Sequence, residues 1–413
     1  MVSSPIGDPA ITSSAVAADL ADRAGRVVPG GVYGHMSTSL LPSHPQFIAA
    51  GEGCRMTDVD GREYIDFLCG FGPIVLGRRH RPVERAAAEA AARGECLTGI
   101  PPVMVELCEL LVDTVAHADW AMLAKNGTDA TTMCVTIARA ATGRRKILVA
   151  RGAYHGAAPW CTPGDNGVLA EDRAHLAYFD YNDVASLEQA VAAAGDDLAG
   201  VIVCPIRHDS KRAQEIADPA FARGVREACT RAGAVLILDD VRAGFRYDVA
   251  GSWEPLGVRP DLSAFSKAIA NGHPLAAVAG TDALRTAARS IFVTGSFWYS
   301  GSAMAAAVAT LTELRETDAL ARIERAGSRL RDGLVGQAAR HGFAVTHSGP
   351  VQMPLLVFAG DPTFALAERW TGLVAERGVY LHPHHNWFLS AAHTDADIDD
   401  ALDRTDDAFA ALA

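Results

Sequence analysis

The residues best suited to chemistry in this chain are an acid and a lysine, each of which follows a short apolar run. Residues 235–238 form a continuous apolar run, which is typical of a strand covered on both faces of a parallel sheet. The run ends at Asp239 and Asp240, and Lys267 follows a second run at residues 262–266. Because ligands of open α/β sheets bind beyond the carboxyl ends of strands, this placement points to a chemical site.

A lysine amine and a buried carboxylate together suit one kind of carbonyl cofactor. The amine can bind pyridoxal phosphate as a Schiff base, and a carboxylate beside the pyridine nitrogen keeps that nitrogen protonated, so that the ring acts as an electron sink. The plainer alternative is a surface lysine and an Asp-Asp pair that caps the next helix. The cofactor hypothesis also requires a place for a phosphate.

A candidate phosphate site lies at residues 125–130, where a predicted strand enters a turn containing Gly127 and Thr128 and a helix begins just beyond. The N–H groups and the dipole at a helix N-terminus bind phosphate without needing a cation. Taken alone, this stretch is equally an ordinary helix cap. Its position ahead of Asp239 and Lys267 favours the phosphate interpretation.

Composition limits the possible partners. The chain has 413 residues, 49% hydrophobic and 21% charged, with a formal net charge of −12. This composition predicts a soluble globular protein of more than one domain and argues against nucleic acid or an anionic membrane as a partner. The start of the sequence lacks the basic and apolar pattern of a signal peptide, and no later stretch approaches the length of a membrane span, so we expect a cytoplasmic location.

Neither the cysteines nor the histidines predict a metal site. The eight cysteines are scattered without a Cys-x-x-Cys pair, which indicates reduced thiols rather than a disulfide or zinc framework. Histidines are densest at residues 382–386, but this run contains no cysteine or acidic ligand. We therefore predict no bound metal.

The order of predicted elements indicates the fold class. A helix at residues 15–26 and an antiparallel meander at residues 47–66 precede helices at 81–93 and 101–115. From residue 120, apolar strands alternate with helical stretches, which predicts an α/β domain with a mostly parallel sheet. The predicted strands lie at residues 120–124, 146–150 and 200–205, and the predicted helices at 129–141, 184–194 and 219–232. Long Ala-rich helices, short strands at 351–358, 379–381 and 388–389, and a terminal helix after Thr394 follow. We predict a large domain at residues 67–317 and a smaller α+β domain built from residues 1–66 and 318–413.

Four motifs, in this order, resemble those of the fold-type I, class III pyridoxal-phosphate aminotransferases. They are Asn126-Gly127-Thr128-Asp129-Ala130, Gly152-Ala153-Tyr154-His155-Gly156, residues 238–246 (LDDVRAGFR) and Ser266-Lys267. The resemblance covers nearly the whole chain, and within this family the chain is most similar to the glutamate-1-semialdehyde aminomutases. It implies a fold-type I transferase that uses pyridoxal 5′-phosphate (PLP).

The resemblance also implies roles for single residues. Lys267 would bind the cofactor covalently and then act as general base and acid in the proton shift. Asp239 would pair with the pyridine nitrogen. Tyr154 would stack on one face of the cofactor ring, and Val241 would pack on the other.

The phosphate site implied by the resemblance is shared between two subunits. Gly127 and Thr128 would hold the phosphate from within one chain. In the family a Gly-Thr pair of the neighbouring subunit completes the site, and Gly295-Ser296 falls at that place. The hydroxyl of Ser296 would then reach the partner's phosphate, which implies an obligate homodimer.

Two departures from the aminomutase pattern bear on the substrate. Asp209 stands where the aminomutases have an asparagine near the 3-hydroxyl of the cofactor, so it would either repel the phenolate or donate to it in protonated form. In the N-terminal loop, residues 33–37 (Tyr-Gly-His-Met-Ser) replace Asn-Ser-Pro-Val-Arg. Ser37 therefore stands in place of the arginine that holds the substrate carboxylate.

These departures favour a different substrate. Arg207 is the candidate for a relocated anchor, with a surface charge as the alternative, and Phe297-Trp298-Tyr299 suggests an aromatic wall. His35, Phe71 and Trp298 complete the predicted substrate site. We expect an aminotransferase for a bulky or cyclic keto acid of secondary metabolism with a common amino-acid donor. The alternatives are a true aminomutase and a non-catalytic homologue.

Overall fold

The computed structural model describes residues 14–34, 41, 43–208 and 211–413. His35, Ser37 and Asp209 therefore lie outside the described residues. The strands, in chain order, are β1 (Ile48–Glu52), β2 (Arg55–Asp58), β3 (Glu63–Asp66), β4 (Trp120–Ala124), β5 (Lys146–Ala150), β6 (Leu176–Phe179), β7 (Leu198–Val203), β8 (Ile206–Arg207), β9 (Glu215–Ile216), β10 (Val235–Asp239), β11 (Leu262–Phe265), β12 (Ala276–Gly280), β13 (Val345–Ser348), β14 (Leu355–Phe358) and β15 (Val379–Tyr380). The helices are α1 (Ala15–Val27), α2 (Arg81–Ala91), α3 (Pro102–Thr114), α4 (Gly127–Thr142), α5 (Val184–Ala194), α6 (Pro219–Ala232), α7 (Arg285–Ser290), α8 (Gly301–Glu316), α9 (Ala319–Arg340), α10 (Ala365–Glu376) and α11 (Asp395–Leu412).

A seven-stranded sheet in the order β4-β12-β11-β10-β7-β5-β6 forms the centre of the molecule. Only β12 runs antiparallel to its neighbours in this sheet. Every residue of β7 and β10 is buried, as expected for apolar strands that helices cover on both faces. The predicted α/β class with a mostly parallel sheet is confirmed.

The register of this sheet brings the predicted acid and lysine to one edge. Strands β10 and β11 are parallel neighbours, with Asp239 opposite Ala264. Strand β11 ends at Phe265, two residues before Lys267. Because both strands end at the same edge, Asp239 and Lys267 are held close together by backbone pairing. Strand β4 ends at that edge as well, so α4 begins beside them.

A second sheet joins the two ends of the chain. Strands β1, β2 and β3 form the predicted antiparallel meander. Strand β15 then adds to β3 in parallel, with Val379 opposite Ile65. Helices α9, α10 and α11 pack nearby around buried aromatic residues such as Trp370 and Phe409. The N-terminal meander and the C-terminal region therefore share one structural layer.

Two findings concern the cysteines and the helices as whole sets. All eight cysteines are free thiols, as their spacing predicted. Among the residues that the structure describes, no helix has both the length and the apolar character of a membrane span.

Candidate active site

A cavity of about 1180 Å³ opens at the carboxyl edge of the large sheet. Pockets that bind drug-sized ligands usually measure about 300–1,000 Å³, so this one has room for a cofactor and a substrate together. Seven residues predicted from the sequence line it: Phe71, Gly127, Thr128, Tyr154, Asp239, Val241 and Lys267.

Lys267 is held in a strained and partly buried position. It begins a short 3-10 turn, Lys267–Ala270, and has a left-handed φ of 48°, a conformation that costs free energy and is concentrated at functional sites. Its Nζ donates a hydrogen bond of 2.8 Å to the carbonyl oxygen of Phe71. Burial and then the charge of Arg242 lower the pKa of Lys267 to about 8, although Asp239 opposes the shift. The amine is thus more easily deprotonated than an ordinary lysine.

Two buried side chains fix the segments around Lys267. The amide of Asn271 accepts from the N–H of Val75 at 3.0 Å and donates to the carbonyl of Gly77 at 2.8 Å. Arg246, fully buried, donates to the carbonyl of Gly72 at 2.7 Å. These hydrogen bonds tie the loop at residues 70–77, which supplies the Phe71 carbonyl, to the strand ends that carry Lys267.

The two adjacent acids face different surroundings. Asp239 lines the cavity, where its Oδ2 lies 2.6 Å from Nδ1 of His155 and its Oδ1 accepts from the N–H of Val241 at 3.2 Å. Asp240 accepts from the N–H and the hydroxyl of Ser252, at 2.9 and 2.5 Å. Burial raises the pKa of Asp240 to about 7. Of the pair, Asp239 is therefore the acid available to a ligand.

The start of α4 has the geometry of an anion cradle. Asn126 caps the helix by accepting from the N–H of Asp129 at 3.1 Å, and the Asp129 side chain accepts from the N–H of Asn126 at 3.2 Å. The first N–H groups of a helix have no partner within the helix. Since the cap uses that of Asp129, those of Gly127 and Thr128 are available to a phosphate.

Close packing around this cradle requires glycine at two positions. A Cβ added at Gly127 would lie 2.7 Å from a methyl carbon of Val241, and one added at Gly156 would lie 2.6 Å from Oγ1 of Thr128. A side chain at either position would displace Val241 or Thr128, both of which line the cavity. An aromatic ring with a phosphate therefore fits this cavity, with Tyr154 and Val241 available to flank the ring.

Comparison with known proteins agrees with this geometry. The sequence profile of the family described as aminotransferase class-III matches residues 39–403. An aminopentol aminotransferase from Sphingopyxis macrogoltabida is 49% identical over 395 residues, covering 95% of this chain and 94% of the relative. The chain belongs to the class-III aminotransferases.

Two further comparisons place this class-III aminotransferase within the family. The solved structure of the FumI protein of Sphingopyxis sp. MTA144, in its PLP internal aldimine form, matches with a TM-score of 0.94 and 49% identity over 96% of each chain. A glutamate-1-semialdehyde 2,1-aminomutase from Desulfatibacillum aliphaticivorans is 33% identical over 417 residues, covering 93% of this chain and 96% of the relative. The protein is a PLP-dependent enzyme of fold type I, as the motifs predicted, and its identity to the aminopentol aminotransferase exceeds that to the aminomutase.

Arg207 does not occupy the position predicted for a carboxylate anchor. Its side chain is buried beside the cavity wall, where it forms an ion pair with Glu215, donates to the carbonyl of Arg151 at 2.9 Å and lies 5.9 Å from the ring centre of Tyr181. The short hairpin of β8 and β9 places Arg207 opposite Glu215, and no sequence pattern had predicted that hairpin. Arg207 therefore has a structural position, and the prediction that it anchors substrate is not retained.

The segment at residues 291–300 also lies away from the cavity of its own chain. Ser296 is exposed, and Trp298 packs against the apolar cluster under α7. Phe297 and Tyr299 are exposed to solvent, at 67% and 44%. Within one chain, therefore, this aromatic segment does not form a wall of the cavity.

Several cavity residues had no predicted role. They are His155, His208, Arg242 and His385. His155 and Arg242 stand inside motifs that the sequence made visible, but only the structure shows that their side chains meet the cavity. Among the described residues, no group of three or more His, Cys, Asp or Glu side chains is arranged to hold a metal ion.

Proposed function

We propose that this protein transfers an amino group between two separate substrates, one of them bulky and of secondary metabolism, the other a common amino acid or keto acid. The observation that carries this proposal is the large cavity above Lys267. Its volume exceeds what the cofactor and a five-carbon substrate need. The 49% identical relative, which is named for an aminopentol, supports a bulky substrate that carries an amine.

The residues around the cavity are proposed to hold PLP as follows. Gly127 and Thr128 bind the phosphate through their N–H groups, Asp239 holds a proton on the pyridine nitrogen, and Tyr154 and Val241 flank the ring. When bound, PLP supplies an electron sink for the carbanion formed at the amino-bearing carbon. His155 keeps Asp239 oriented through their 2.6 Å hydrogen bond.

Lys267 is proposed to bind the cofactor covalently and to move the proton. Its lowered pKa allows the amine to lose a proton near neutral pH and act as a general base on the amino-bearing carbon. The same group then returns the proton as a general acid. The Phe71 carbonyl, which accepts from Nζ, keeps the amine oriented over the cavity while it is not bonded to the cofactor.

Arg242 replaces Arg207 as our candidate for binding the carboxylate of the amino acid or keto acid. It lines the cavity, and its charge lowers the pKa of Lys267, which places the guanidinium near the reacting amine. Arginine also matches the geometry of a carboxylate. Arg242 would then supply the cation that the aminomutases have as an arginine in the N-terminal loop, where this chain has serine at residue 37.

We further propose a homodimer in the cytoplasm, with Ser296 reaching the partner's phosphate. Support comes from exposed apolar side chains on two neighbouring segments, residues 95–105 and 292–300. Ile100 is 63% exposed, Phe292 is 91% exposed and Phe297 is 67% exposed. The hydroxyl of Ser300 donates to Glu95 at 2.7 Å, which joins the two segments. Large apolar surfaces of this kind mark association sites.

The aminomutase alternative has less support. It requires a firm hold on a small carboxylate-bearing intermediate, and the loop arginine that gives this hold in the aminomutases is replaced. A non-catalytic homologue is also disfavoured, because the strained lysine, the acid and the phosphate cradle are all present in one cavity.

The proposal is tested by following the absorbance of bound cofactor while single amines and amino acids are added. Arg242→Met is expected to raise the KM of an acidic co-substrate about 10- to 100-fold, since a charged hydrogen bond contributes roughly 1.5–3 kcal/mol. The KM of a neutral amine should change little. Arg145→Met, which removes an exposed arginine paired with Asp197, is the matched control. Equal effects on both substrate classes would exclude Arg242 as the anchor.

A further inference from the structure

One wall of the cavity contains polar side chains that have no role in the proposed cofactor site. His208, His385 and Arg242 all line the cavity. His208 is 5% exposed, and its ring packs edge-on against that of His385, with 4.7 Å between the ring centres. Burial and then the charge of Arg242 lower the pKa of both histidines, that of His208 to about 2. Both rings are therefore neutral beside a permanent cation.

The His208 ring has unused hydrogen-bonding capacity. Within the part of the chain that the structure describes, neither of its ring nitrogens has a hydrogen-bond partner. Leaving a buried polar group unpaired costs about 1–3 kcal/mol, so nearly all such groups in folded proteins are paired. A neutral imidazole offers one donor and one acceptor. An unpaired ring in the wall of a ligand cavity indicates that the ligand supplies its partner.

The protonation of His385 is set by the backbone. Its Nδ1 lies 2.7 Å from the carbonyl oxygen of Asn386. Because a carbonyl only accepts, Nδ1 must carry the hydrogen, and Nε2 of the neutral ring keeps its lone pair. The three side chains together thus offer both acceptors, from the histidines, and donors, from His208 and Arg242.

This combination selects among ligand groups. A carboxylate only accepts, so it would pair with Arg242 and with a donor on His208 but leave the lone pair on Nε2 of His385 without a partner. An ammonium only donates and would be repelled by Arg242. A hydroxyl both donates and accepts, and it can satisfy a neutral histidine while it accepts from the guanidinium.

We infer that His208, His385 and Arg242 form a subsite for a hydroxyl group of the bulky amine, close to the carbon that bears the amino group. This inference rests on the proposed function, because it assigns a substrate class to the same cavity. An aminotransferase binds its two substrates in turn. Arg242 can therefore bind the carboxylate of one and the hydroxyl of the other, whereas the two histidines serve the hydroxyl alone.

The test adds 2-aminooctan-3-ol or 2-aminooctane to the PLP-loaded enzyme and measures, from the change in cofactor absorbance, how fast each amine reacts. For the wild type, the ratio of the rate constant to the dissociation constant is expected to be about 10- to 100-fold higher for the amino alcohol. This is the effect of one or two hydrogen bonds in a buried site. His208→Phe keeps the size of the ring but removes both nitrogens. It should reduce the preference to below about threefold by slowing the amino alcohol only.

Two companion variants keep the result interpretable. His208→Gln, whose amide also has a donor and an acceptor, should retain part of the preference. If His208→Phe does not fold, His385→Phe removes the Nε2 acceptor and should reduce the preference in the same direction. The affinity for PLP, measured by fluorescence titration, and the half-reaction with a keto acid should stay within about twofold of the wild type, since neither ligand uses the histidines.

Three outcomes would overturn the inference. They are a wild type with no preference between the two amines, equal slowing of both amines in His208→Phe, and a weakened affinity for PLP in that variant. A failure of the proposed function has a different signature, because the wild type would then convert neither amine and no amino acid.

Discussion

Burial and two neighbouring charges act on the protonation of Lys267 in different directions. Burial and the charge of Arg242 favour the neutral amine, and Asp239 favours the charged one. The backbone of Lys267 has a left-handed conformation, which sets the direction in which the side chain leaves the turn. The balance of these effects sets the pH at which the amine becomes a nucleophile.

The first prediction concerns that pH. The cofactor-free protein should capture PLP covalently at a rate that rises with pH through about 8, because only the neutral amine attacks and the pKa of Lys267 is lowered to about 8. Arg242→Met removes a like charge, so the midpoint should move to higher pH. Stopped-flow absorbance measures both profiles. A midpoint near that of an ordinary lysine in the wild type, or an unchanged midpoint in the variant, would contradict this account of Lys267.

The second prediction separates the two adjacent acids. Asp239→Asn should reduce kcat by about 10- to 100-fold, since a neutral amide stabilises a pyridinium less well by roughly 1.5–3 kcal/mol. Asp240→Asn should have little effect, because an amide can keep both hydrogen bonds to Ser252. Steady-state kinetics at one pH compares them. A larger loss of kcat in the Asp240 variant would show that Asp240, and not Asp239, contacts the cofactor.

At this scale the sequence predicted which residues lie close together better than it predicted where each side chain points. The proximity of Asp239 and Lys267 was predictable, because Asp239 ends β10, Lys267 lies just beyond the end of β11, and these parallel strands end at one edge of the sheet. Arg207 and Arg242 also follow strand ends, yet the first pairs with Glu215 and the second lines the cavity. The direction of the Arg207 side chain depends on the short hairpin of β8 and β9, whose pairing has no sequence signature.

At the scale of elements, the start of α4 has the geometry of an anion site. Its cap leaves two N–H groups for an anion, and its first residue packs against Val241. The helix is also stabilised by apolar contacts of buried residues such as Cys134 and Ile137. A change at its first residue should therefore affect the ligand site more than the fold.

The third prediction follows from this packing. Gly127→Ala places a Cβ 2.7 Å from Val241, so Val241 must move into the space for the cofactor ring. We expect the dissociation constant for PLP to rise by about 10-fold or more, as for an overpacked site that costs 1–3 kcal/mol. The melting temperature without PLP should change little. Gly336→Ala, in the exposed part of α9 where a Cβ meets only the far end of Arg340, is the control, and equal weakening of PLP binding there would contradict the packing argument.

Elements with strong start signals or continuous apolar runs were predictable, and the others were not. Strands β4 and β5 and helices α5 and α6 have the predicted bounds. Strand β6 was missed because it is short and lies at the edge of the sheet, where only its last residue is buried. Helix α10 was missed because Phe364, which precedes it, has a left-handed φ of 63° and provides no side-chain cap. The predicted strand at Phe388-Leu389 instead bonds to two separate segments, at Phe67 and Gln352.

At the scale of the whole molecule, the cavity is bounded by parts that are distant in sequence. The loop at residues 70–77, α4, the ends of β10 and β11 and the histidine segment at residues 382–385 all meet there. No local pattern could reveal the His208–His385 contact, because it depends on how the C-terminal region folds back onto the large sheet. The exposed apolar segments near residues 100 and 297 support the proposed homodimer.

The fourth prediction concerns this assembly. Phe292 is 91% exposed in the single chain, and we expect its side chain to be buried against the partner. Phe292→Glu should weaken the homodimer, because it would bury a charge in that interface. Analytical ultracentrifugation should show monomers, with a parallel loss of bound PLP. Val335→Glu, at an exposed position of α9, should leave the dimer intact. A wild type that is monomeric and fully loaded with PLP would rule out the shared site.

The measurement that tests the central claim most directly follows the nitrogen atom itself. A ¹⁵N-labelled bulky amine and an unlabelled keto acid are incubated with the purified enzyme, with Lys267→Ala as the inactive reference, and the products are analysed by mass spectrometry. We predict that the label appears in the amino acid formed from the keto acid, in amounts equal to the ketone released, and that the reference variant transfers none at a detectable rate. The contradicting result is efficient conversion of glutamate-1-semialdehyde to 5-aminolevulinate with no net use of a donor and no transfer of label between separate molecules.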